Sequence, residues 1–289
     1  MKSMGRIGLC ALLTLGLSIG VPNMAGAHQR TTKNVKHQKV SILMLGDSVA
    51  LTLGWDLGHP DLAAQYDYSF ADFGIVGCGV VMGRAIRADG KSTLSEPQCN
   101  GFTPAPGTPL RKQPWPVQWK AELAKYHPNV VVLLAGRWEE VDRVYDGEWT
   151  NILDPTFAAY VKQQLELASL LVTSTGANLE FMTAPCDDAE TALDGAPWPE
   201  NDPARLAEYN TLVREVAAEF PTTDSVYDLD ALVCPGGKYR STYEGETIRN
   251  SDGVHFALTA GITLAPEIIP PILAAGRAQI ARMDKQTVK

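Results

Sequence analysis

Three short stretches of the chain are continuously apolar, and between them apolar positions recur every three or four residues. Val40–Leu45 is the first run, and "NVVVLLA" over Asn129–Ala135 is a second and stronger one. "NLEFMTA" over Asn178–Ala184 is the third. A short run without polar alternation is what a strand buried on both faces requires. "YSFADFG", Tyr68–Gly74, reads as a short strand between the first two along the chain, and Ser225–Leu229 as a weaker one near the end.

Helical spacing fills the gaps. "WPVQWKAELAKY", Trp115–Tyr126, precedes the second run, and a longer pattern starting at Pro155 ends at Gly176, a helix stop. "DPARLAEYNTLVREVAAEF" opens with Asp202 as N-cap and Pro203 at the first helical position, and it ends before Pro221. A final helix is predicted through 258–283, broken around Pro270–Pro271. Strands alternating with helices predict an α/β fold, a mainly parallel sheet with helices on both faces. No internal repeat or change of composition divides residues 39–285, which read as one domain. The stretch 87–116, rich in Pro, Gly and Ser, reads as an insertion tied by Cys99 that borders the site.

The N-terminus changes the compartment. Lys2 and Arg6 precede an apolar run from Ile7 to Val21, and Ala25-Gly26-Ala27 fits a small-residue cleavage site. Residues 1–27 are therefore expected to be a secretory signal, and polar residues 28–38 a disordered lead-in. The run is shorter than the roughly 20 residues a membrane span needs. Removing it takes away two basic residues and no acidic one, moving the net charge from −8 to −10. Such a chain repels phosphate backbones, so nucleic acid is not an expected partner. Cys10 leaves with the signal. Cys78, Cys99, Cys186 and Cys234 remain, and an even number in an exported chain suggests two disulfides. The expected pairs are Cys78–Cys99 and Cys186–Cys234, each closing a loop beside a predicted strand end. A zinc site would want Cys-x-x-Cys pairs, and the sequence has none.

Candidate chemistry begins where the first run stops, at Gly46-Asp47-Ser48. Ser48 stands past the C-terminal end of a strand, the edge where ligands bind in parallel sheets. A helix beginning at Val49 would aim its free N–H groups there. The alternative is that Asp47 or Ser48 only caps that helix. The partner motif is "NSDGVHF", Asn250–Phe256. Asp252 and His255 are three apart, which on a helical turn places them on one face. Asp252 would fix the tautomer of His255, and His255 would take the proton of Ser48. Asp252-Gly253 is equally a turn signal.

Taken together, these motifs resemble the SGNH or GDSL hydrolases: Gly46-Asp47-Ser48 the first block, Asp252-Gly253-Val254-His255 the last, and "FGIVGCG" with Gly77 the second. The resemblance implies a three-layer α/β/α, flavodoxin-like fold. It implies ester chemistry by Ser48, His255 and Asp252, with oxyanion donors from the backbone N–H of Ser48 and Gly77, and no cofactor or metal. One block departs. Where the family has Gly-x-Asn-Asp, this chain has Gly136-Arg137-Trp138-Glu139. "AGRWE" is similar to SGNH domains fused to membrane acyltransferases that modify cell-surface glycans. Arg137 or Trp138 can replace the missing donor. Equally, Trp138 can be a core or sugar-stacking residue, and Arg137 can pair with Glu139 or Glu140.

The resemblance points to acyl, above all acetyl, esters of an extracellular or cell-envelope glycan, either cleaved or transferred. Transfer would require a separate membrane acyltransferase as partner. The alternatives are a lipase or small-ester esterase, and a glycan-binding domain that has lost turnover. A classical α/β-hydrolase would want Gly-x-Ser-x-Gly, and Ala50 occupies its last position. Trp115, Trp119 and Trp198 are either a sugar platform or ordinary packing. His28, His37, His59 and His127 read as lead-in or loop residues. Cys186 follows Pro185 at a strand end, where a disulfide competes with a nucleophile. Asp187 and Asp188 are a carboxylate pair without a second half.

Overall fold

The computed structural model describes residues 38–88, 91–101, 103–189 and 197–287, and the chain from Lys39 onward makes one compact unit. The predicted signal segment and, but for Gln38, the lead-in lie outside the described residues, as do His28 and His37.

In chain order the elements are β1 (Val40–Gly46), α1 (Ser48–Leu57), α2 (Pro60–Gln65), β2 (Tyr68–Gly74), β3 (Ala85–Ala88), β4 (Lys91–Leu94) and α3 (Trp115–Tyr126). There follow β5 (Val130–Leu134), α4 (Arg137–Glu140), β6 (Asp142–Tyr145), β7 (Glu148–Thr150), α5 (Pro155–Thr173) and β8 (Asn178–Met182). The chain closes with α6 (Pro203–Glu219), β9 (Asp224–Tyr227), α7 (Leu229–Val233), β10 (Thr242–Tyr243), β11 (Glu246–Thr247) and α8 (Ala260–Thr287).

The main sheet has the order β2-β1-β5-β8-β9 and every pairing is parallel. All of β5 and β8 is buried, as is β1 apart from Ser41. That burial is why these strands carry no polar alternation. Helices α1 and α8 pack together on one face, and α3, α5 and α6 on the other. This is the expected three-layer arrangement. From β1 the chain passes to β2 on one side and then across to β5 on the other. The carboxyl end of β1 is thus the point where the winding reverses, and a crevice opens there.

Two expectations need correction. The stretch after β2 is more than an insertion: β3 and β4 join β6 and β7 in an antiparallel sheet of order β4-β3-β6-β7. The final helix is also unbroken. Pro266, Pro270 and Pro271 all lie inside α8. Pro266 and Pro270 are exposed, where water can take the carbonyls they leave unpaired, while Leu264, Ile268, Ile269, Ile272 and Leu273 are buried. Burying five such side chains contributes roughly 10 kcal/mol, comparable with about 3 kcal/mol lost per interior proline. Among the described residues no helix is long and apolar enough to cross a membrane.

Both expected disulfides are present, with Cα–Cα distances of 5.5 Å for Cys78–Cys99 and 6.1 Å for Cys186–Cys234. The second closes 48 residues of chain and the first 21. Loop-closure entropy then assigns about 4 kcal/mol to the longer and about 3 kcal/mol to the shorter. Urea unfolding of the Cys186→Ala/Cys234→Ala protein is predicted to show the larger loss of stability of the two double variants.

Candidate active site

The site begins with a close approach of backbones. Gly46 has φ +143°, and a Cβ there would stand 1.7 Å from the carbonyl oxygen of Leu134. Only glycine lets the end of β1 lie this close to the end of β5. The Asp47 N–H then donates to Leu134 O at 3.3 Å, and the chain turns directly into α1. Asp47 is the N-cap: its Oδ1 accepts from the N–H of Val49 at 2.7 Å and of Ala50 at 3.4 Å. Ser48 is the first residue of the helix and is 7% exposed. The cap and the reactive-looking serine are therefore neighbouring residues.

The other half of the site comes from the turn before α8. His255 Nε2 lies 2.8 Å from Ser48 Oγ, and His255 Nδ1 lies 2.7 Å from Asp252 Oδ2. The i,i+3 pair is not on a helical turn, as the spacing suggested. Asp252 Oδ1 accepts from the N–H of Val254 at 2.9 Å and of His255 at 3.0 Å, so the carboxylate folds the turn around itself. Gly253 has φ +72°, and a Cβ on it would meet the carbonyl oxygen of Asp188 at 2.0 Å. Asp188 N–H donates to Gly253 O at 2.9 Å, which ties the turn to the segment after β8. The Phe256 N–H donates to Thr52 Oγ1 at 3.2 Å, anchoring the far side of the turn on α1.

Partial burial raises the Asp252 carboxyl, but hydrogen bonds from the His255 ring and from the N–H of Val254 and His255 outweigh it, holding the group below its usual range. With Asp252 ionised, Nδ1 of His255 carries a proton and Nε2 is free to accept from the Ser48 hydroxyl. On the other side of β1, the Ile75 N–H donates to Gly46 O at 2.8 Å, so the segment leading to Gly77 starts level with Ser48. Gly77 takes φ +78°, and the next residue, Cys78, is held by its disulfide.

Behind Ser48 lies a buried group of carboxylates. Burial, then repulsion by Glu139, pushes Asp47 up to about 7. Burial pushes Asp187 to about 8 against the pull of Arg249 and Arg137. Glu140 is raised well above its usual value by burial and by Asp187, Glu200, Glu139 and Asp47. Glu139 accepts from the Val81 N–H at 3.1 Å. The compensating cations are Arg249, 3.1 Å from Asp187, and Arg137, whose Nε is 3.1 Å from Glu200.

Arg137 pairs with Glu200 and not with Glu139 or Glu140. Its guanidinium lies 5.3 Å from the ring of Trp138 and 5.5 Å from that of Trp198. Trp138 packs on Ile86 and Ala88 of the second sheet and on Val141 just before β6. Trp115 and Trp119 are packing residues: both are 1% exposed, their rings are 4.4 Å apart, and Trp115 Nε1 donates to Val80 O. Trp198 is half-buried and lines a cavity of about 160 Å³ with Arg137, Ala189, Asp252 and Val254. His59 caps α2 and His127 ends α3, both away from the site. Asp187 belongs to the Arg249 pair, and Asp188 is exposed. Glu200 and Arg249 were not singled out by the sequence, where no spacing links either to its partner.

No family model matches the chain, and no curated protein is similar to it in sequence at a significant level. Similar solved structures include the periplasmic domain of a lipopolysaccharide acetyltransferase from Salmonella ser. Paratyphi A, at 13% identity over 81% of this chain and 85% of that one, TM-score 0.47. A carbohydrate acetylesterase from Sinorhizobium meliloti is 14% identical over 82% of this chain and 99% of that one, TM-score 0.45. A GDSL-like lipase from Bacteroides thetaiotaomicron is 13% identical over 81% and 88%, TM-score 0.43.

Asp47 and Asp187 hold their protons more tightly in the fold than a free carboxyl does. Between about pH 4 and their raised values the folded state carries more protons than the unfolded chain, so stability falls as pH rises. The melting temperature is predicted to drop from about pH 5 to about pH 8. Asp47→Asn keeps the capping oxygen and cannot ionise, so its melting series should be flatter. Parallel slopes would remove Asp47 from this account. A second prediction concerns the turn: Gly253→Ala puts a Cβ against the Asp188 carbonyl at a left-handed φ, so it should lower the melting temperature relative to wild type.

Proposed function

We propose that this protein is an exported serine esterase or O-acyltransferase that acts on acetyl or other short acyl esters of an extracellular or cell-envelope glycan. The observation that carries the reading is the unbroken hydrogen-bonded relay Ser48–His255–Asp252, built from two segments 207 residues apart and closed at 2.8 and 2.7 Å. Such a relay turns a weak hydroxyl nucleophile into an effective one.

In the proposed mechanism Ser48 Oγ attacks the ester carbonyl carbon while His255 Nε2 takes the hydroxyl proton. Asp252 stabilises the imidazolium that forms and keeps its orientation. Negative charge develops on the carbonyl oxygen and is met by the N–H groups of Ser48 and Gly77, with the start of α1 adding its dipole. The tetrahedral intermediate collapses, the C–O bond to the alcohol breaks, and His255 returns the proton to the leaving oxygen. The acyl group now sits on Ser48. Water or a sugar hydroxyl then attacks it, with His255 again as base, giving hydrolysis or transfer.

The compartment and the substrate class rest on separate supports. Two disulfides in one domain fit an oxidising environment and the basic-apolar start of the chain. The cavity beside Asp252 has charged walls, which a long acyl chain would desolvate at a cost. A short acyl group on a hydroxyl-rich alcohol fits it better than a lipid.

The test is acetate release from short-chain aryl esters and O-acetylated oligosaccharides by the disulfide-bonded protein. Ser48→Ala and His255→Ala are each expected to lower kcat by at least about 10³-fold. Wild-type protein that turns over no ester, with water or an oligosaccharide as acceptor, sinks the reading.

A further inference from the structure

The cavity on the Asp252 side of the relay has a composition that the ester chemistry does not explain. Among the described residues its walls are Arg137, Ala189, Trp198, Asp252 and Val254, and neither Ser48 nor Gly77 is among them. Arg137 follows β5 and turns toward the segment between β8 and α6, where Glu200 and Trp198 stand. That direction leads away from β2 and Gly77, across β1.

Arg137 is held with care. Its Nε donates to a Glu200 side chain that is wholly shielded from solvent, and its own side chain is only 12% exposed. Indoles flank it, at 5.3 Å for Trp138 and 5.5 Å for Trp198. Among the described residues no acceptor meets its two terminal nitrogens. A guanidinium fixed by a buried carboxylate, with its outer N–H groups left over beside an indole and a carboxylate, is equipped for hydroxyl groups. A hydroxyl accepts from the guanidinium and donates to the carboxylate, and the indole covers a C–H face. A fatty acyl chain would strand the same charges without partners. An anionic group would meet Asp252, a wall of the same cavity whose carboxyl is held below its usual range and so stays ionised.

From this we infer that the Arg137–Trp198 cavity is the subsite for an uncharged sugar ring of the substrate, on the alcohol side of the ester, and that Glu200 is the positioning residue for Arg137. The inference rests on the serine-ester reading for its place in a reaction, but sugar binding can be measured without turnover.

The experiment compares kcat/KM for O-acetylated xylotetraose and O-acetylated chitotetraose with kcat/KM for 4-nitrophenyl acetate, in wild type, Arg137→Ala, Arg137→Lys and Trp198→Ala. The ratio of oligosaccharide to aryl ester is expected to fall about tenfold or more in Arg137→Ala and Trp198→Ala, mainly through KM, as loss of one or two hydrogen bonds or a stacking contact implies. Arg137→Lys keeps the charge without the planar fork and should fall nearly as far, so it carries the test if the alanine variant does not fold. Glu200→Gln keeps an acceptor for Nε and should recover most of what Glu200→Ala loses in the ratio. A ratio unchanged in every variant overturns the inference, as does a wild type that prefers neither oligosaccharide to the aryl ester. A wild type inactive on all three esters sinks the serine-ester reading instead. The subsite is then read by calorimetry with the unacetylated oligosaccharides: binding lost in Arg137→Ala supports it, and no wild-type binding overturns it.

Discussion

A parallel sheet whose central strands are buried on both faces leaves no room for reactive polar groups along its length. Here β1 is flanked by β2 and β5 in registers that set Gly46 level with Gly74 on one side and Leu134 on the other. The three strands therefore release their chains at one height, and the segments carrying Ser48, Gly77 and Arg137 all start from that line. The close approach at Gly46 makes the height exact for Asp47 as well, since a side chain there would collide with the β5 carbonyl. Only the Asp252–His255 turn comes from elsewhere, and its two anchors, Thr52 and Asp188, bring it to the same edge.

This arrangement carries an electrostatic cost. Asp47, Glu139, Glu140 and Glu200 are all buried, and the Asp187 side chain nearly so. An isolated buried carboxylate costs several kcal/mol. The fold meets the cost in two ways. Glu200 is paired with Arg137, and Asp47, Glu140 and, even beside Arg249, Asp187 are pushed up toward the protonated state. The second route has a consequence for the proposed reaction. A fully ionised Asp47 at the start of α1 would offset the positive end of the helix that faces a developing oxyanion. Protonation lessens that offset while Oδ1 still accepts from Val49 and Ala50.

What was legible in the sequence follows burial. The strands β1, β5 and β8 announce themselves because both faces are covered, the α5 helix because its apolar residues recur at helical spacing up to Gly176, and the α6 helix because its cap, Asp202, is followed by proline. The disulfides were legible because each loop closes beside a strand end. The second sheet was not. Its strands are three or four residues long, β4 is exposed throughout, and its pairing joins residues near 86 to residues near 143. Nothing in a local pattern encodes such a contact. The residues of the relay could be named from Gly-Asp-Ser and Asp-x-x-His, but the spacing suggested a helical turn where the carboxylate itself shapes the loop. The Arg137–Glu200 pair crosses 63 residues and joins two different connections of the sheet, so only the folded chain brings it into view.

The "AGRWE" segment is where sequence and site diverge most, and the second sheet accounts for it. Trp138 is drawn away from the crevice because Ile86, Ala88 and Val141 offer its indole an apolar surface. Arg143, 1% exposed, locks that position by donating to the Trp138 carbonyl at 3.0 Å from Nη2. Glu139 is bound to the same purpose: its Oε1 takes the Val81 N–H and so joins α4 to the segment that follows Gly77 and Cys78. The block thus ties the second sheet and the glycine segment to the end of β5, leaving Arg137 as its one side chain turned toward the cavity beside Asp252. A short side chain such as Asn at position 138 would leave the apolar surface of β3 uncovered. Tryptophan at position 138 and the antiparallel sheet are then two sides of one packing requirement.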